Sequence, residues 1–229
     1  DVILDVENLS KKNDSGEYLF KNLYLRFNKG EKIAVLSRNA SAVTALFNIL
    51  AGEDTDFEGR FQFGQTITPH YLPNDNSVFF SGDQDMSLMD WLRQYSKEKD
   101  EGFIRGFLGR MLFAGEEVFK RSGVLSGGEK VRCMMSKIML ANANFLILDE
   151  PTNHLDLESI TALNNGMQEF TGNILFTSHD YQILDSVANR IIEITPSGLI
   201  DQNMTYGDYL HSERMHNMRA EMYGDAVMA

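Results

Sequence analysis

The chain is short of the residues that mark several large protein classes. Its 229 residues include one cysteine, Cys133, which excludes an internal disulfide and a cysteine-rich metal centre and fits a reducing compartment. No apolar run approaches the ~20 residues of a membrane span. The opening, DVILDVENLS, lacks the basic region and apolar stretch of a secretory signal, so a cytoplasmic location is expected. Basic residues are scarce: 21 Lys and Arg stand against 33 Asp and Glu, a net charge of −12. A surface this acidic repels phosphate backbones, which makes the domain alone a poor candidate for non-specific nucleic-acid binding. The chain opens on Asp1 rather than Met, and the expectation is a piece excised from something longer.

What is present suits one large α/β domain. Hydrophobic residues make up 43% and charged residues 24%, ordinary proportions for a globular core. Residues 2–9 and 16–27 alternate apolar and polar side chains and are expected to be edge strands. Lys32 to Leu36 has the compact apolar character of a buried strand. The turn-like SRNASA follows, then VTALFNILAG, where Val43, Leu46, Phe47 and Leu50 recur at helical spacing and Gly52 suits a helix end. Residues 60–72 predict two strands around Gly64.

From about Asp83 to Ala141 the pattern turns helical and Met-rich, with Trp91 and Cys133 expected in the core. Strands resume at Phe145–Leu148, Asn173–Thr177 and Arg190–Ile194, with helices over Leu157–Phe170 and from Tyr181. Such alternation predicts an α/β fold, a mostly parallel sheet with an antiparallel β edge and an inserted helical subdomain. The boundaries are a single domain over 1–229: a core of about 1–82 and 142–205, a helical subdomain of about 83–141, and a helical tail of about 206–229. In that tail Met215, Met218 and Met222 form a stripe that either packs on its own domain or covers a surface meant for a partner. The acidic run Glu53 to Glu58 is expected to be a solvated turn.

Three short segments carry chemistry. In LSGGEK, Leu125 to Lys130, Ser126 is placed to cap a helix, and Gly127 and Gly128 would let backbone N–H groups approach an anion at the helix N-terminus; a plain cap is the simpler alternative. Fifteen residues after Lys130 comes FLILDEPTNHLD. Its apolar strand ends in Asp149 and Glu150, two carboxylates at the edge where parallel sheets bind ligands. Asp149 is suited to Mg²⁺ and Glu150 to polarising a water. The third segment is Ser178-His179-Asp180 at the end of another strand, where His179 could meet a γ-phosphate.

LSGGEK, then FLILDEPTNHLD, then TSHD resembles the signature, Walker B, D-loop and switch-histidine series of ATP-binding cassette (ABC) proteins. The wording resembles the F subfamily, cassette proteins associated with translation, over about Tyr18 to Tyr209. The resemblance implies a P-loop NTPase-like fold, ATP and Mg²⁺ as cofactors, and catalytic roles for Glu150 and His179. It implies a second ABC domain as partner, in the same longer chain or as a homodimer, with Ser126, Gly127 and Gly128 closing over the partner's ATP. A ribosome partner also follows from the resemblance alone. Tyr18 stands either as the aromatic on which adenine stacks or as a buried strand tyrosine.

The departure lies in the phosphate loop, which should read G-x-x-x-x-G-K-[ST]. Here the residues are Ser37, Arg38, Asn39, Ala40, Ser41, Ala42, Val43 and Thr44. Positions 37, 40 and 42, glycine in the family, carry Ser or Ala, and Val43 replaces the lysine. The missing charge-assisted contact is worth roughly 1.5–3 kcal/mol. The loop residues Ser37 and Asn39 to Thr44 remain the candidate phosphate contacts, and Thr44, Asp149 and Asn74 the candidate Mg²⁺ ligands. Asn74 stands where the family has glutamine. Weak or absent ATP binding at this pocket is expected, with lysine at position 43 restoring part of it. The expected function is an ATPase half-site that supplies its signature to a partner cassette. The alternatives are a non-hydrolysing structural or regulatory module and a transporter ATP-binding subunit.

Overall fold

The computed structural model describes residues 2–225. In chain order the first elements are β1 (Leu4–Lys12), β2 (Tyr18–Phe27), β3 (Lys32–Leu36), α1 (Ala40–Leu50), β4 (Glu58–Phe63) and β5 (Pro69–Leu72). Then come α2 (Leu88–Arg93), α3 (Glu101–Arg110), α4 (Gly127–Leu140), β6 (Phe145–Asp149), α5 (Leu157–Glu169) and β7 (Asn173–Thr177). The last are α6 (Tyr181–Val187), β8 (Arg190–Thr195), β9 (Gly198–Gln202), α7 (Tyr206–His211) and α8 (Glu213–Tyr223).

They group into two compact units. The first runs to Tyr71, resumes over Asn144–Asp149 and resumes again from Thr171. It holds a three-stranded antiparallel sheet, β2-β1-β4, and a six-stranded sheet in the order β5-β6-β7-β3-β8-β9. Pairs β6–β7, β7–β3 and β3–β8 are parallel, and β8–β9 closes an antiparallel edge. The α/β class with a mostly parallel sheet is therefore observed. β6 is buried at every position because it lies inside the sheet, as parallel strands covered on both faces must be. Phe145 packs its ring against Phe27 and Phe63, at 6.3 and 5.1 Å between centroids.

The second unit, Leu72–Ala143 with Glu150–Phe170, is helical. Trp91 is buried in it, stacked on Phe80 at 4.8 Å and donating its indole N–H to the Phe79 carbonyl. Cys133 is buried as well, and burial pushes its thiol pKa up. That is the chemistry of an inert core sulfur.

Three local details complete the fold. β9 had no alternating pattern to announce it; it forms because the turn after β8 closes with Gly198 at φ +139° and the Thr195 hydroxyl donating to the Gly198 carbonyl. The run Glu53 to Glu58 is the solvated turn expected, with Asp56 fully exposed, and Lys11 reaches it at Asp54, 2.9 Å, and Asp56, 3.6 Å. The methionine stripe packs on its own unit: Met215 is fully buried, and the Met222 methyl lies 3.5 Å from where a side chain on Gly198 would begin.

Candidate nucleotide-binding site

In the first unit the segment expected to form the phosphate loop is short and closed. The expected loop over residues 37–42 is only 37–39 long, because α1 begins at Ala40. Asn39 caps the helix: its side chain accepts the Ser41 N–H at 3.1 Å and its carbonyl the Ala42 N–H at 3.0 Å. Alanine is the strongest helix former, so Ala40 and Ala42 extend the helix over positions where glycine would keep a loop open. Ser37 is pinned too, its hydroxyl donating to the Ile194 carbonyl at 2.9 Å and accepting the Asn39 N–H at 3.1 Å. Ala40 and Ser41 are exposed, whereas Ala42 and Val43 are buried, both within the hydrophobic core. The residue at the lysine position therefore points inward as a core side chain.

One turn further, Thr44 donates its hydroxyl to the Asp149 carboxylate at 3.0 Å. Asp149 is buried, and that burial raises its pKa while the Thr44 bond pulls it back. A buried carboxylate beside a hydroxyl is a hard-oxygen pair of the kind Mg²⁺ takes, and a cation there would favour the charged form that burial opposes. These two residues fit the metal; the closed loop amides fit a phosphate poorly. His179 is exposed just past β7. Tyr18 is 42% exposed at the start of β2, which overturns the buried alternative. It lines a cleft of about 410 Å³ with Lys21, Thr195 and Gly198, and the Lys12 and Lys21 ammonium groups each lie 4.9 Å from its ring centroid.

The second unit carries the other candidates. Ser126 caps α4, accepting the Glu129 N–H at 3.1 Å while the Glu129 carboxylate accepts the Ser126 N–H at 3.2 Å. This reciprocal capping box leaves Ser126 and Gly127 exposed at the helix start. The glycines also have a packing role that spacing alone did not suggest. A Cβ on Gly128 would sit 2.6 Å from the His154 carbonyl oxygen, and one on Gly127 3.2 Å from the His154 side chain. Glu150 and His154 adopt left-handed backbone, φ +53° and +65°, a conformation that costs of order 1–3 kcal/mol per non-glycine residue and concentrates at functional segments. Asn74 is exposed, and its side-chain oxygen accepts from Asn153 at 3.3 Å.

Comparison with known proteins decides what this arrangement is. The sequence pattern of the family described as ABC transporter matches residues 20–153. The chain belongs to the ABC transporter family. It is the ATPase domain of that family, and ATP is the ligand the membership implies. Over 97% of its length it is 54% identical to YkpA of Bacillus subtilis, described as an uncharacterized ABC transporter ATP-binding protein, of which it covers 41%. It is 31% identical to ABC transporter F family member 5 of Arabidopsis thaliana, over 84% of this chain and 28% of that protein. It is 30% identical to the energy-dependent translational throttle protein EttA of Escherichia coli K12, over 88% of this chain and 36% of that protein. The chain thus spans about two fifths or less of these relatives. The fold matches the ATP-binding cassette MJ0796, solved as a dimer in a post-hydrolysis state with ADP and Pi, with a TM-score of 0.72 at 16% identity over 88% of this chain and 99% of that one. Among the described residues no helix is long and apolar enough to cross a membrane.

Within this ABC domain, one set of residues around Arg38 escaped sequence reasoning altogether. Arg38 donates two hydrogen bonds to Asp225, at 2.9 and 2.7 Å, and its guanidinium lies 3.8 Å from the Tyr223 ring centroid. The pairing spans 187 residues and has no local signature.

Proposed function

We propose that this ABC domain, one unit of function over residues 1–229, is the second cassette of a tandem F-type protein that hydrolyses ATP, and that it serves mainly by supplying its signature to the partner cassette. The carrying observation is an asymmetry. Ser126 and Gly127 stand exposed at the capped start of α4, a hydroxyl and a helix N-terminus suited to a γ-phosphate. The phosphate loop of the same chain has its Asn39, Ser41 and Ala42 amides already bonded and Val43 buried. Glu150 and His179 keep the types needed to activate water and touch a γ-phosphate. Thr44 and Asp149 are the Mg²⁺ ligands of this weak site, and Asn74 is a candidate on its place in the sequence alone. When bound, Mg²⁺ would neutralise phosphate charge.

The similarity to an F family member and to a translational throttle protein supports a role on the ribosome. A transporter ATP-binding subunit is the second reading, favoured by the description of YkpA. Co-sedimentation of the full-length protein with ribosomes, as against recovery with membranes, separates the two.

The signature reading has its own test. In the full-length protein, Ser126→Arg places a long charged side chain at the partner's ATP and is expected to remove most turnover, about 100-fold, the scale seen when one charge-stabilising group is lost. Steady-state phosphate release measures it. Unchanged turnover would make the signature a relic and leave a structural module.

A further inference from the structure

The end of α8 does more than complete the fold. Helix α8 is anchored at two points: Met215 is fully buried, and the half-buried Arg219 donates to the buried Glu193 carboxylate at 2.7 and 3.3 Å. Tyr223, in the last turn, donates its hydroxyl to Glu193 at 2.5 Å, and the same oxygen accepts the Arg38 N–H at 3.3 Å. Gly224 then turns the chain at φ +71°, with its N–H on the Glu221 carbonyl and the Asp225 N–H on the Ala220 carbonyl. That left-handed turn ends the helix and delivers the Asp225 carboxylate to both ends of the Arg38 guanidinium.

We propose that the α8 terminus is an autoinhibitory lid on this chain's own phosphate loop, latched by Asp225 on Arg38, so that the lid and a nucleotide's phosphates compete for the loop. The proposal rests on reading residues 37–44 as the phosphate loop. Arg38 is the sole cation of that segment, and a carboxylate of the same chain already satisfies it. The Arg38 backbone N–H, a group that would otherwise be free for an anion, is on Tyr223.

Strength is graded along the lid. The Glu193 carboxylate is buried, where bonds to a charged group are strong. The latch is not: the Arg38 and Asp225 side chains are 51% and 42% exposed, and exposed ion pairs are weak and screened by salt. The tip can therefore lift while the helix stays docked. Groups facing Arg38 are Asp225, Tyr223 and, through Tyr223, Glu193, so an added anion there meets negative charge until Asp225 leaves.

The test uses the full chain in two forms. One is the natural sequence; the other carries Ser37→Gly, Ala40→Gly, Ala42→Gly and Val43→Lys. Each is made with Asp225, with Asp225→Asn and with Asp225→Glu, and Mg-ATP is titrated by calorimetry. In the loop-restored chain, Asp225→Asn is expected to tighten Mg-ATP about fivefold, the scale of one exposed pair, and Asp225→Glu to leave it near the parent. In the natural chain, exchange of the Arg38 and Asn39 amides should speed up by a similar factor in Asp225→Asn without nucleotide. If the restored chain binds Mg-ATP equally with Asp or Asn at 225, the lid is overturned while the phosphate-loop reading stands. If the restored chain fails to bind in any tail state, the phosphate-loop reading falls and takes the lid with it.

Discussion

Val43→Lys alone is expected to lower the melting temperature of the chain by about 6–12 °C and to leave Mg-ATP binding near that of the parent. Val43 is 3% exposed and packs in the hydrophobic core below α1. A lysine there must bury its ammonium group without a partner or strain to reach the surface, at a cost of roughly 3 kcal/mol. For a domain of this length each kcal/mol moves the transition by about 2–4 °C. Sequence spacing alone suggested that lysine would recover part of the binding, since position 43 is where the family places it. The structure removes that expectation: Val43 lies on the first turn of α1 with its side chain in the core. Thermal unfolding by circular dichroism measures the first effect and calorimetry the second. A Val43→Lys chain that melts like the parent and binds Mg-ATP well would show that the loop opens unaided.

Glu193→Ala should be comparably damaging, about 3 kcal/mol, or roughly 6–12 °C. Glu193 is 1% exposed on the face of β8 that α7 and α8 cover, and accepts from Tyr209 at 2.6 Å, Arg219 at 2.7 Å and Tyr223 at 2.5 Å. Its hydrogen bond and charge push the Tyr209 and Tyr223 hydroxyls up, after burial itself, the latter to about 12. Removing the carboxylate strands a guanidinium that is half-buried and two phenols that burial keeps from water. Helices α7 and α8 lose their shared acceptor, so limited proteolysis should begin in residues 206–225. Glu193→Gln, which keeps an acceptor oxygen, should lose less than half as much. Equal stability of Glu193→Ala and parent would mean that α8 is held by Met215 and its neighbours alone.

The parts legible in the sequence are those written by short-range chemistry. The strand spacing of FLIL and NILF, the serine and two glycines at the head of a helix, and the paired carboxylates at Asp149 and Glu150 all announce themselves within one turn or one strand. What stayed hidden depends on contacts across the chain or on competition between local states. The loop at 37–42 looked like a turn because it holds Ser and Asn, yet the two alanines and the Asn39 cap together favour helix. Gly128 suggested an anion site, and its tight approach to the His154 carbonyl needed the left-handed backbone at His154 to be seen. Tyr18 could not be placed inside or outside from alternation alone, since it sits at the first position of its strand. The Arg38–Asp225 latch joins residues 187 apart, beyond the reach of any spacing rule.

The most direct measurement is a calorimetric titration of Mg-ATP into the natural chain beside the chain carrying Ser37→Gly, Ala40→Gly, Ala42→Gly and Val43→Lys. If the natural phosphate loop is closed as Asn39, Ala42 and Val43 indicate, the natural chain should bind roughly 10- to 100-fold more weakly, the equivalent of one lost charge-assisted contact. Equal, tight binding by both chains would contradict it, and would make this domain a working ATP site in its own right.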